Sequence, residues 1–184
     1  MPDSKYAQIE RERRFLVRNL PSDQPSARRA ITDLYVEGTR VRLRRSVGVV
    51  DGQDEVLQKL TQKIPDAAPV GGRRGTLTTM YLSDAEYECM ARLPGRRLTK
   101  HRLSFPPLGV DIFDGPLEGL VIAEAEFSDD GEMLRFVATS WCDVEITEHL
   151  GFTGGSLARL AALDRISAVD ALAELLRAIE PSNK

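Results

Sequence analysis

The stretch that decides the fold is 7-AQIERERRFLV-17. Ile9, Phe15, Leu16 and Val17 favour a strand, yet five charged residues, Glu10 to Arg14, run between them. A strand alternates its faces with a period of two. Glu10, Glu12 and Arg14 therefore share one face, and Ile9, Arg11, Arg13 and Phe15 share the other. A strand that carries two carboxylates and a guanidinium in line on one face needs a use for that face.

The same alternation recurs along the chain. In 39-TRVRLRR-45, Arg40, Arg42 and Arg44 oppose Val41 and Leu43. In 57-LQKLTQK-63, Lys59, Thr61 and Lys63 oppose Leu60. Lys100 and Arg102 oppose Leu103 and Phe105, while Glu124 and Glu126 oppose Ala123, Ala125 and Phe127. An antiparallel sheet with its charged face in water shows such alternation. That picture sits badly with the segregation by sign, because like charges directly opposite one another destabilise a sheet. Residues 40–102 hold thirteen Lys/Arg against seven Asp/Glu, and residues 103–150 hold one against eleven.

Closing the sheet into a barrel with the charged faces inward accounts for the segregation. Buried charges must then be paired or hold ligands. The inward set by parity is Glu10, Glu12, Asp111, Glu124, Glu126 and Glu145 with Arg14, Arg40, Arg42, Arg44, Lys59, Lys63, Lys100 and Arg102, a net of +2. One divalent cation raises this to +4, near the roughly four to five negative charges of a triphosphate at neutral pH. Carboxylates suit a hard cation such as Mg2+ or Mn2+. Guanidinium and ammonium groups suit phosphate oxygens.

Nine strands are expected, at 8–17, 31–37, 39–46, 55–64, 75–82, 97–105, 108–114, 119–127 and 143–148, with turns at 37–39, 48–54, 114–119 and 128–132. Residues 18–30 and 65–75 read as loops. Ser83 and Glu86 have the spacing of a capping box opening a helix over 83–93. Two C-terminal helices are expected at 155–163 and 167–179; in the second, Val169, Leu172, Leu176 and Ile179 form one stripe.

Composition narrows the class. With 184 residues, 42% of them hydrophobic, the chain is expected to form one soluble domain over 1–184. No apolar run approaches the ~20 residues of a membrane span. The first ten residues, MPDSKYAQIE, have no apolar signal region. Cys89 and Cys142 follow no metal or redox spacing and are expected as reduced thiols, so a cytoplasmic location is expected. His101 and His149 are the two histidines, too few for a histidine-rich metal centre. Basic residues that alternate inward, with a net charge of -3, speak against nucleic acid as a partner.

In order along the chain, ERERRFLV (10–17), LYVEGTRVRLRR (34–45), LTQK (60–63), LTKHR (98–102), VDIFDGPLEGLVIAEAEF (110–127) and WCDVEIT (141–147) resemble the blocks of the CYTH superfamily, the triphosphate tunnel metalloenzymes. The resemblance implies an α+β, mostly β fold: a closed eight-stranded antiparallel barrel, the triphosphate tunnel, with flanking helices. It implies hydrolysis of a small triphosphate with Mg2+ or Mn2+, inorganic triphosphate first. A class IV-like adenylate cyclase and a non-catalytic binder of polyphosphate or nucleotide are the alternatives. By resemblance Glu10, Glu12, Asp111, Glu124 and Glu126 hold metal. Arg14, Arg42, Arg44, Lys63 and Arg102 bind phosphate, and Tyr35 and Lys100 activate water. Arg14 departs from the family, which has Lys there. The strand 75–83 offers Thr76, Thr78 and Thr79 where relatives carry Glu. Trp141 is expected to pack at the barrel mouth and His101 to lie outside the tunnel. No membrane partner is expected, and a homodimer is left open.

Overall fold

The structure, a computed structural model, describes residues 6–50, 52–65 and 73–179. Nine antiparallel strands form among them: β1 Gln8–Val17, β2 Ala27–Val36, β3 Val41–Val50, β4 Gln53–Pro65, β5 Arg73–Tyr81, β6 Gly95–Phe105, β7 Leu108–Phe113, β8 Val121–Glu126 and β9 Cys142–Glu145. The sheet runs β5-β4-β3-β2-β6-β7-β8-β1-β9, and a β5–β1 pairing closes the first eight into a barrel. β1 pairs along one edge with β8. Its other edge is divided. Gln8 to Glu12 pair with β5, and Phe15 and Val17 pair with β9. β9 is thus a ninth strand outside the ring.

The expected strands are all present, β2 beginning four residues earlier than predicted. The tight turn before β3 rests on Gly38, whose φ of 68° suits a residue without a side chain. Most of the predicted loop at 65–75 and Asp51 of the predicted turn at 48–54 lie outside the described residues.

The barrel is apolar mainly on the outside. Helix α1, Asp84–Met90, opens with the expected capping box. Its Tyr87 lies against Leu34 and Leu43 on the outer face of β2 and β3. A second cluster packs Phe15, Leu103, Val110, Ala123 and Ala125 beneath Met133 of α2, Asp130–Arg135. α2 falls where a turn was expected: Asp129 caps it by accepting from the Glu132 amide, so the Asp-Asp-Gly run starts a helix. Trp141 is the packing residue expected, but in this outer cluster, against Phe105 with ring centroids 6.2 Å apart.

The third cluster lies across one end of the barrel. There the inward residues are apolar: Leu98, Phe113 and Ile122. Phe152 and Leu157 descend on them from the C-terminal segment, backed by Leu172. Each such side chain contributes roughly 1.5–3 kcal/mol by leaving water. Leu157 belongs to α3, Gly154–Ala161, and Leu172 to α4, Arg165–Arg177, close to the two predicted helices. No described helix is long and apolar enough to cross a membrane.

Candidate active site

Between that apolar end and the opposite rim the lumen holds a cavity of about 800 Å³. Strand parity sends into it Glu10, Glu12 and Arg14 from β1, Tyr35 from β2, and Arg42 and Arg44 from β3. It also receives Lys63 from β4, Lys100 and Arg102 from β6, and Glu124 and Glu126 from β8. Arg40 and Lys59 join them. Arg45, on the other face of β3, is outside and exposed.

Strand order sorts the charges into walls. β1 and β8 are neighbours, with Glu12 opposite Glu126 and Arg14 opposite Glu124. Across the lumen, β3 and β4 place Arg44 opposite Lys59 and Arg42 opposite Thr61. Lys63 spans the two walls and pairs with Glu10 and, at 3.1 Å, with Glu12. Burial pushes the Glu12 carboxyl above the usual range; Lys63 pulls it down, while Glu10 and Glu124 push it up. Glu124 is held well below that range: burial opposes this, but Arg102, Lys100 and Arg14 outweigh it.

Asp111 lies elsewhere than expected. It is fully buried and does not line the cavity. Both its oxygens accept from Arg102 at 2.6 Å, and Lys100 is bonded to it as well. It anchors two lumen cations and has no oxygen turned to a ligand. Glu145 also departs from its predicted inward place. Being on β9, outside the ring, it takes a bidentate bond from Arg13 and accepts from Thr147.

Arg14 is buried and largely committed. Its guanidinium donates to the Phe152 carbonyl at 2.5 Å and the Thr147 carbonyl at 3.1 Å, and lies 3.8 Å from Glu12. It ties the acidic wall to the C-terminal segment. The wide guanidinium fork, in place of a compact ammonium, makes this double contact.

Asp33 was not singled out in the sequence. It is 0% exposed, accepts from Arg44 Nε and Nη2 at 2.7 Å each, and lies 3.8 Å from Arg42. Burial pushes its carboxyl up, but Arg44, Arg42 and Lys100 together hold it below the usual range. The available signal was its parity with Tyr35 and its place across from the arginine strand.

Lys100 stands opposite Ile31, four residues along β2 from Tyr35, so their backbones are ~13 Å apart along the strand. Burial lowers the Lys100 ammonium, against the pull of Asp111. The Tyr35 phenol is pushed up to about 12 by burial and by Asp33. It stays protonated at neutral pH.

Of the three threonines on β5, only Thr79 lines the cavity, 3.1 Å from Thr61. Tyr81 follows on the same face, with Lys59 Nζ 5.1 Å from its ring centroid, and Tyr6 lies at the same rim. Aromatic surface therefore exists at inward positions. His101 is outside, 3.6 Å from Asp114.

The resemblance implies a divalent cation, and the acidic wall fits one. Glu10, Glu12 and Glu124 are close enough for their charges to act on one another, and they offer the hard oxygen donors such an ion takes. Among the described residues no three carboxylate, histidine or cysteine groups converge into a ready-made cluster, since Lys63 and Arg102 occupy the carboxylates.

The closed eight-stranded antiparallel barrel with charged groups lining its lumen is the fold that the sequence resemblance implied. The crystal structure of the inorganic triphosphatase NE1496 is similar at 21% identity and a TM-score of 0.53, over 84% of this chain and 95% of that one. A second structure, of the hypothetical protein NE1496, gives 21% and 0.52 over 84% and 99%. At this identity the likeness establishes the shared fold. No protein-family description matches the chain, and no curated protein does.

Proposed function

We propose that this barrel hydrolyses a small triphosphate with the help of Mg2+ or Mn2+, and that inorganic triphosphate is its substrate. The observation that carries the reading is the pair of facing walls in one 800 Å³ lumen: Glu10, Glu12, Glu124 and Glu126 on β1 and β8, with Arg42, Arg44, Lys59 and Lys63 on β3 and β4. The structural likeness to a protein described as an inorganic triphosphatase supports it.

The four glutamates would hold the cation, which when bound neutralises charge on the phosphate oxygens. Lys63, which lies between Glu10 and Glu12, would bind phosphate were those carboxylates held by the cation. Arg44 and Arg102 bind phosphate oxygens from fixed positions, because Asp33 and Asp111 hold their guanidiniums, and Arg42 joins them from the same wall. Such preorganised cations stabilise charge without reorganising during reaction. Asp111 is a positioning residue in this reading, replacing the metal role first expected.

Lys100, its ammonium lowered by burial, acts as the neutral amine, taking a proton from water to become the ammonium as the water oxygen attacks phosphorus. The bond from that phosphorus to the bridging oxygen breaks, giving orthophosphate and pyrophosphate. Tyr35 donates from its phenol to the phosphate chain. The test is incubation with tripolyphosphate, ATP, thiamine triphosphate and pyrophosphate, each with Mg2+ or Mn2+, resolving all products. Orthophosphate with pyrophosphate from tripolyphosphate is expected. Cyclic AMP from ATP, with tripolyphosphate left intact, would overturn the reading.

A further inference from the structure

Gly154 opens α3 at the end of the lumen. Its backbone is not in the left-handed region that calls for glycine. Glycine at a helix start is only modestly favoured, and Thr153 already supplies the cap by accepting from the Ser156 amide. The reason for glycine lies in its neighbour. A Cβ on residue 154 would stand 1.9 Å from the Tyr35 hydroxyl oxygen and 2.9 Å from Cζ of the same ring. At Gly155 the nearest atom of Tyr35 would be 3.7 Å away, an ordinary contact. The close approach is therefore particular to residue 154 and to the phenol's polar tip.

Tyr35 is fixed from the other side as well. Its strand pairs it with Arg42, whose side chain enters the same lumen, and Asp33 lies two residues back on the same face. The ring cannot swing away from residue 154 without leaving these partners. α3 cannot retreat easily either, because Leu157 and Ala158 are buried in the apolar end.

We propose that Gly154 is a positioning residue: its missing side chain is the socket that seats the Tyr35 hydroxyl in the lumen, between Arg42 and the first turn of α3. This deepens the triphosphatase reading and rests on it for the role of the seated phenol. Gly154 acts through Tyr35, so removing the socket and removing the hydroxyl should cost the same interaction.

The test is a double-mutant cycle of Gly154→Ala and Tyr35→Phe, read in two ways. The first is kcat and KM for tripolyphosphate with Mg2+. Each single variant should lose about tenfold in kcat/KM, the scale of one positioned hydrogen bond. The double variant should lose no more than the worse single. Losses that multiply would overturn the proposal, because Gly154 would then act apart from the phenol. The second reading is the urea midpoint without substrate. Gly154→Ala should lower it in the presence of Tyr35. In the Tyr35→Phe background, where the hydroxyl contact is gone, the same change should lower it less or raise it. An equal shift in both backgrounds would equally overturn the socket. Should Gly154→Ala fail to fold, refolding of the double variant supports the socket, and its failure to refold overturns it. A stability coupling found in a protein that does not cleave tripolyphosphate would reject the triphosphatase reading and leave the socket standing.

Discussion

Asp33→Ala removes the carboxylate on which the basic wall is hung. The residue is 0% exposed and both its oxygens are bonded to Arg44 at 2.7 Å, with Arg42 at 3.8 Å. Without it Arg44 loses both its carboxylate bonds and Arg42 loses the negative charge 3.8 Å away. Removing one member of a buried pair costs about 3–5 kcal/mol. The Arg44 and Arg42 side chains keep 14% and 29% of their exposure, so water reaches them and the lower end, about 3 kcal/mol, applies. For a chain of this size each kcal/mol moves Tm by roughly 2–4 °C, giving a fall of roughly 6–12 °C. Saturating tripolyphosphate offers the stranded cations new oxygens. At a hundred times its Kd a ligand returns about 2.7 kcal/mol. Calorimetry of wild type, Asp33→Ala and Asp33→Asn, with and without tripolyphosphate, measures both effects. The pH arm has a definite sign. A depressed carboxyl stabilises the fold above its unfolded pKa of about 3.9 and loses that effect as pH falls through the folded value. The gap between wild type and Asp33→Ala should be constant from pH 5 to 8 and close only below about pH 4. A variant that melts within ~2 °C of wild type at pH 7 refutes the account of Asp33 as the anchor of the arginine wall.

Glu124→Gln should abolish metal-dependent turnover while the circular dichroism spectrum is kept; normal metal-dependent kinetics would sink the acidic wall as the cation's seat. Arg42→Ala and Lys63→Ala should each weaken tripolyphosphate binding by roughly 1.5–3 kcal/mol in calorimetry. Arg45→Ala, on the outer face, should change it little, and equal losses would contradict the inward parity. Glu12→Gln should stabilise the metal-free protein at pH 7. Its carboxyl is raised on folding, so its contribution is complete below the unfolded pKa of about 4.3 and lost as pH rises through the folded value. Urea denaturation should show this gain vanish below about pH 4; a glutamine that destabilises at pH 7 would contradict it.

The barrel was legible because charge and apolar residues alternate on strand after strand, and the charged lumen writes its sign into that alternation. Glu10, Glu12, Arg42, Arg44, Lys63 and Glu124 lie where parity put them. Parity fails where tertiary pairing decides. Glu145 has inward parity, but β9 lies outside the ring. Asp111 faces inward yet stops short of the cavity, because Lys100 and Arg102 take both its oxygens. Asp33 escaped notice because one carboxylate in ITDLYV looks like an ordinary break in an apolar strand. The glycine socket was invisible, since only the folded chain brings residue 154 to residue 35.

The divided edge of β1 sets how this ring opens. Five residue pairs join β1 to β5, against ten between β2 and β6. The splice is short, and Glu10 and Glu12 are carried on it. Amide exchange in β1 should therefore be fastest along Gln8–Glu12, where the fewest ladder bonds must break. Lys63, reaching from β4 to both glutamates, works as a clasp over the splice. If a cation or phosphate chain binds between those strands, as proposed, it would take over the clasp, and tightness of binding and reluctance of the ring to unfasten would be one free energy measured in two ways.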